Sequence, residues 1–262
     1  MNNYLVTAKN YSEDSENRIH SDEIAQKFGF RGALVPGVAV YGYMTHPLVE
    51  EFGNDWLAEA NIQLRLLKPT YDGEQMTISC KSQDNQIEVT SHDPEGQLTA
   101  VLLSQSAKKT SDGPQPMHDL ALLDGPIKHP ERVAIGWETV NAAEVFAPWE
   151  FHLGSEENTR YTREVADTLD VYQAGYVHPH LLLSLANTAL MNEYVMPTWI
   201  HASSNIIHHH ALRIGETITI RSVTTNKWQK KGHEFIKLWV TYWRGDELTT
   251  EIDHTAIFKV AT

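Results

Sequence analysis

The stretch best equipped for chemistry lies near the N-terminus, where His20 follows Asp14, Ser15, Glu16 and Asn17 at close spacing. An imidazole exchanges protons near neutral pH, and a carboxylate beside it can share the protons of a bound water. Gly29-Phe30 and then Pro36-Gly37 come next, opening a run with apolar residues at helical spacing. The first amides of a helix stabilise an oxygen that gathers negative charge, so these residue types suit acid–base work beside a developing negative charge. A simpler arrangement is open as well. His20 can be a satisfied histidine at a loop-to-helix junction, with Ser21 capping, Asp22 and Glu23 favouring the helix dipole, and Asn17 a turn residue.

The run from Asn17 to Gly37 resembles the MaoC-like dehydratases, whose R-specific enoyl-CoA hydratase motif reads Asp-x-Asn-Pro-hydrophobe-His, then Ala, Gly-Phe and a Pro-led helix start. Asn17, Ile19, His20, Gly29, Phe30 and Pro36 match in order, Ala25 falls one residue short of the usual spacing, and Gly37 follows Pro36 directly. The resemblance implies an α+β double hotdog, two tandem halves each with a long helix against a curved antiparallel sheet. It also implies hydration or dehydration of an enoyl or 3-hydroxyacyl thioester, CoA-linked, with no cofactor. Carried over, His20 is the base, Asn17 and a carboxylate complete the catalytic group, and Ser15, Gly32, Val35, Pro36, Gly37 and Tyr41 contact substrate. Ser15 stands at the family's Asp position, with Asp14 and Glu16 on either side, and Arg18 replaces the family Pro. Asp14 is taken as the replacement carboxylate. A serine can hydrogen-bond a water but cannot hold its proton at neutral pH.

Elsewhere, His208, His209 and His210 invite a metal reading, but a strand sends His209 to the face opposite its neighbours, which favours a polar face or a dimer contact. His178 and His180 flank Pro179 and suit helix entry or a pocket lining. Trp56 and Trp199 suit packing. A thioesterase of this fold needs a carboxylate on the first helix beside Tyr41, Tyr43 and His46, yet Glu50 and Glu51 fall near its end.

These side chains are held by a repeated frame. The segment from Gly32 lies on the segment from Gly175 without a gap, pairing Pro36 with Pro179 and Trp56 with Trp199, an offset of 143. A one-residue gap then pairs Gly73 with Gly215. Each half predicts a buried helix of some fifteen residues, marked in the second by Leu181, Leu182, Leu185, Ala189 and Leu190, then antiparallel hairpins turning at Asp93–Gly96 and Arg244–Asp246. Along 233–243, Phe235, Lys237, Trp239 and Thr241 share one face and Ile236, Leu238 and Val240 the other. Pro114, Pro116, Pro126 and Pro130 resist a regular element, so the expected division is an N-terminal half 1–112, a linker 113–132 and a C-terminal half 133–262.

With 21 Lys+Arg against 34 Asp+Glu, the net charge of −13 disfavours a nucleic-acid partner. Cys80 is the sole cysteine, so no internal disulfide forms, and a reducing, cytoplasmic setting fits. No signal peptide or membrane span is read. The expected partner is a small acyl thioester, and a homodimer of double-hotdog chains is compatible with a fold that often associates. Three functions are open: the hydro-lyase, a non-catalytic protein binding acyl or other hydrophobic ligands, and a related lyase, isomerase or thioesterase on a substrate without CoA.

Overall fold

The computed structural model describes residues 3–105, 115–125, 127 and 131–261. Its first half contains β1 (Tyr4–Thr7), α1 (Asp22–Lys27), α2 (Gly37–Phe52), α3 (Asn54–Ala58), β2 (Ala60–Leu66), β3 (Gln75–Gln83), β4 (Gln86–His92) and β5 (Leu98–Gln105). A two-residue strand β6 (Val133–Ala134) leads to β7 (Val145–His152), α4 (Ser155–Glu164), α5 (Asp170–Gln173), α6 (Pro179–Glu193) and a short β8 (Tyr194–Val195). The chain ends with β9 (Ile200–His208), β10 (Thr217–Lys230), β11 (His233–Arg244) and β12 (Glu247–Lys259).

Ten strands form one antiparallel sheet in the order β1-β3-β4-β5-β2-β9-β12-β11-β10-β7. Each half contributes the same order outward from a central seam, where β2 runs antiparallel to β9 from Ala60 opposite His208 to Arg65 opposite Ser203. The bridges Leu34–Tyr71 and Tyr176–Arg213 are equivalent. So are the bonds from the Val35 amide to the Thr70 carbonyl and from the Val177 amide to the Leu212 carbonyl. These pairs differ by 142 (34 and 176, 35 and 177), so the one-residue gap belongs before the helix. Pro36 is thus equivalent to His178, not to Pro179. Proline suits both sites, a helix N-cap and a first helical position, which is why sequence matching slipped by one.

The core lies between the helices and the sheet. Ile236, Leu238 and Val240 enter it with Leu181, Leu182, Leu185, Ala189 and Leu190, whereas Trp239 faces the other side in a small cluster with Leu123, Val145 and Val223. The alternation read from β11 is therefore present. At Gly42 in α2 a side chain would meet Val165 at 2.8 Å and the His180 Cβ at 3.1 Å, so glycine lets α2 approach α6 and the segment after α4 closely. Of the expected linker, residues 113, 114, 126 and 128–130 lie outside the described residues. Within it Leu120–Asp124 forms a 3-10 turn capped by Asp119, a regular element the proline content did not lead one to expect. Just before it, the Met117 amide binds Glu251 and His118 binds Asp253. Among the described residues, no helix is long and apolar enough to cross a membrane.

Candidate active site at the N-terminus of the first long helix

Asn17 initiates a 3-10 turn, Arg18–His20, by accepting from the Ile19 amide. The same side chain reaches the other half of the molecule: its Oδ1 accepts from the Trp199 amide at 3.1 Å, and its Nδ2 donates to the Trp199 carbonyl at 3.0 Å. The Arg18 amide donates to the Pro197 carbonyl at 2.8 Å. The loop carrying His20 is thereby pinned to the strand entry of β9. Ser21 occupies the N-cap of α1 but makes no side-chain cap bond, its hydroxyl donating to the Arg18 carbonyl instead.

This network fixes the protonation of His20. Nδ1 lies 2.7 Å from the Leu34 carbonyl, which only accepts, so Nδ1 carries the proton. Nε2 is then the basic nitrogen, with the Asn17 amide donating to it over a long 3.3 Å. Burial lowers the His20 pKa, opposed by the bond to Leu34, so the ring is a neutral base at physiological pH.

His20 faces two cavities, both of which are also lined by Asn17, Pro36, Asn187 and Trp199. The larger, about 350 Å³, is mostly apolar and extends past Val35, Gly37, Leu66, His201 and Val260. The smaller, about 190 Å³, is the more polar of the two, its lining evenly mixed, and includes Ser15, Arg160, Tyr161, Glu164, His180 and Ser184. Between them sits the start of α2, whose N-cap Pro36 makes no side-chain cap bond. Its first-turn amides are the kind of donors that receive an anionic or polarised oxygen. A Cβ at Gly37 would run into Leu66 Cδ1 and stand 3.2 Å from His201 Nδ1, so these side chains would have to shift to admit one.

Of the residues picked from the sequence, His20, Asn17, Ser15, Val35, Pro36 and Gly37 line one or both cavities. Asp14 is exposed in a turn and lines neither. Glu16 bonds Arg132. Gly32 packs against Asp22, and Tyr41 is buried in the core. The carboxylate that does reach the smaller cavity is Glu164, the last residue of α4, whose pKa is raised by burial against the opposing pull of Arg160. Trp199 packs as expected but also walls both cavities. His201 and Glu164 went unnoticed in the sequence because nothing near either one in the chain marks it; both arrive from the second half.

The second half holds a different cluster at the equivalent place. His178 caps α6 by accepting the His180 amide on Nδ1 at 3.0 Å, and its Nε2–H donates to Asp167 at 3.2 Å. His46 of α2 approaches the other Asp167 oxygen at 3.0 Å. Burial alone would raise the Asp167 pKa, but the two histidines outweigh it and hold the carboxyl well below the usual range. Asp167 had a sequence signal: it stands five residues before Tyr172, the family's Asp-to-His spacing with tyrosine in the histidine's place. His208 is buried edge-on to Trp56, while His209 and His210 bond Glu251 and Glu247. Among the described residues no group of three His, Cys, Asp or Glu side chains is placed to hold a metal.

No family model and no curated protein matches the chain by sequence. Solved structures do match by fold. A MaoC domain protein from Chloroflexus aurantiacus J-10-fl, a dehydratase by assignment, is 14% identical with a TM-score of 0.61, over 100% of this chain and 95% of that one. A conserved hypothetical protein from Mycobacterium tuberculosis, described as a double hotdog, is 13% identical with a TM-score of 0.60, over 98% and 95%. A Lactobacillus plantarum protein assigned as an oleoyl thioesterase is 11% identical with a TM-score of 0.53, over 98% and 96%. The fold is the α+β double hotdog.

Proposed function

We propose that the chain is a hydro-lyase that adds water to an enoyl thioester, or removes it from a 3-hydroxyacyl thioester, at the start of α2. The observation that carries this reading is His20: a neutral imidazole, its proton committed to Leu34, that lines two cavities together with the uncapped start of α2. The acyl group occupies the apolar cavity and the water the polar one. His20 Nε2 takes one proton from water as the oxygen bonds the β-carbon. The electron pair of the double bond moves to the α-carbon through an enolate whose oxygen rests on the α2 amides. The α-carbon then takes a proton through Glu164, a carboxyl whose pKa burial raises and which the protonated His20 charges through solvent. This reading places the carboxylate role on Glu164 rather than Asp14, which is exposed. Similarity of fold to assigned dehydratases supports the reaction class.

The test is hydration of crotonyl-CoA and longer enoyl-CoAs. His20→Ala is expected to lower kcat/KM by about 10²–10⁴. In the wild type, activity falls on the acid side as His20 takes up a proton, with an apparent pKa below 6.5, the direction set by its burial. Equal rates for wild type and His20→Ala dismiss the assignment.

A second reading is favoured by one departure, Ser15 at the family's Asp position. A non-catalytic acyl-binding protein retains the cavity but not the turnover. Its sign is thermal stabilisation by saturated and unsaturated acyl-CoAs alike, with no product formed.

A further inference from the structure

Asn17, His20, Pro36, Trp199 and Asn187 border both cavities, and of these Asn187 has been given no task. It stands in the middle of α6, on the helical face that carries His180, Ser184, Thr188 and Met191 past the smaller cavity. The hydroxyls on that face are spent on their own helix: Ser184 donates to the His180 carbonyl at 2.8 Å and Thr188 to the Ser184 carbonyl at 3.2 Å. In the duplicated frame Asn187 is equivalent to Thr45 of α2, whose hydroxyl likewise donates to the Gly42 carbonyl at 2.9 Å. The Asn187 carboxamide makes no hydrogen bond among the described residues. Its Oδ1 is buried without a partner, and its Nδ2, which no partner holds either, is not buried. A polar side chain bonded to nothing, on a helix whose neighbouring Leu183, Ala186 and Leu190 are buried, costs stability, so the fold alone gives no reason for it.

We propose that Asn187 is a further catalytic residue, donating its Nδ2–H to the oxygen that is added to, or lost from, the β-carbon. This rests on the hydro-lyase reading given above. That reading leaves the oxygen with one side-chain partner, His20, because Ser15 stands where the family has a carboxylate and Asp14 is exposed. A second contact is what holds a water on one face of a double bond. Asn187 is placed for it, bordering both the cavity assigned to the acyl group and the one assigned to water. In hydration, the oxygen takes on hydroxide character as its proton passes to His20 Nε2 and its bond to the β-carbon forms, and the Asn187 N–H stabilises that charge. In dehydration the same contact supports the departing oxygen while His20 returns the proton. Asn187 itself gains and loses no proton, and a neutral amide brings no buried charge. The nitrogen is the end that faces the cavities. Turning the amide over would bury two N–H donors in place of one oxygen, and unpaired buried donors are rarer in proteins than under-satisfied carbonyls.

Two variants separate the donor from the side chain's bulk. Asn187→Leu removes the amide at similar size, and Asn187→Asp, assayed at pH 8, keeps an acceptor without the donor. Expected for crotonyl-CoA hydration is a fall in kcat of about 10²-fold in both, with KM little changed. The Tm of Asn187→Leu should equal or exceed that of the wild type, because the unpaired oxygen goes with the amide. A lower Tm together with lost activity makes the role structural and overturns the proposal. Activity of Asn187→Asp at or above that of the wild type calls for an acceptor at this place and overturns the donor. Binding gives a readout independent of turnover. In the His20→Ala background, where dehydration is suppressed, 3-hydroxybutyryl-CoA should bind about 3- to 10-fold more tightly than butyryl-CoA, the worth of one neutral hydrogen bond, and adding Asn187→Leu should abolish the difference. A preference that survives Asn187→Leu, or is absent without it, overturns the role of Asn187, whatever the activity. A preference lost in Asn187→Leu, in a protein whose wild type hydrates nothing, supports the contact and removes the hydro-lyase reading. Failure of the wild type to bind either acyl-CoA overturns both.

Discussion

The starts of α2 and α6 are the same place in a duplicated frame, and they have gone opposite ways. At α2 the N-cap is a proline with no side-chain hydrogen bond to give, and His20 lines two cavities, its Nε2 meeting Asn17 over a long contact. At α6 the N-cap is His178, whose two ring nitrogens are both engaged, one by the helix and one by Asp167. The contrast separates two uses of the same residue type. A fully buried histidine with both edges engaged joins parts of the structure, while one that lines a cavity is placed to meet a ligand.

The largest effect that would break this comparison comes from Asp167→Ala. It leaves His178 and His46 facing a buried gap and is expected to cost about 3 kcal/mol of stability, lowering Tm by roughly 10 °C, with turnover of the folded protein retained. Denaturant unfolding checks it. A variant of unchanged stability that lost activity would move the chemistry to the α6 end.

Next in size is Gly37→Ala. Its methyl group meets Leu66 and His201, and displacing them is expected to cost about 1–3 kcal/mol and to weaken acyl-CoA binding. Pro179→Ala, at the first residue of α6, is expected to cost less than about 1 kcal/mol with binding unchanged. Similar losses from both would mean that the two helix tips are equally involved.

The smallest and most gradual effect is the response to acid. Burial lowers the pKa of His180 to about 3 and those of His201 and His208 to about 4. The unfolded chain protonates these groups near pH 6.5. Unfolding therefore takes up protons below that pH, so their contribution is complete above pH 6.5 and is lost as pH falls toward 4. Asp167, held low, adds a loss that begins only below about pH 4, where an unfolded aspartate protonates. Urea midpoints from pH 7 to pH 3 should decline in these two stages, with a shallower first stage in His201→Phe. A flat midpoint down to pH 4 would show that the histidines are hydrated rather than buried.

Much of the frame was legible because helix and strand periods are local. The apolar spacing of 181–190 and the alternation of 233–243 report burial directly, and both segments lie where that spacing puts them. The segment 17–37 was equally legible, since a loop and the helix start after it carry their residues in order. What sequence could not show is what crosses the seam. Glu164, Trp199 and His201 reach His20's surroundings from the second half, and no spacing along the chain encodes that approach. Asp14 was chosen for its nearness in sequence, but in an irregular turn one residue's shift decides whether a side chain meets the cavity or the solvent.

The pairing of β2 with β9 has an evolutionary consequence. In an assembly of identical subunits every substitution appears at both symmetry-related positions, so a change that suits one cleft must be tolerated in the other. Here the two sides of the axis are separate codons. That independence allowed one helix tip to acquire a proline and the other a histidine braced by an acid, and it confines future adaptation of the cleft to a single copy.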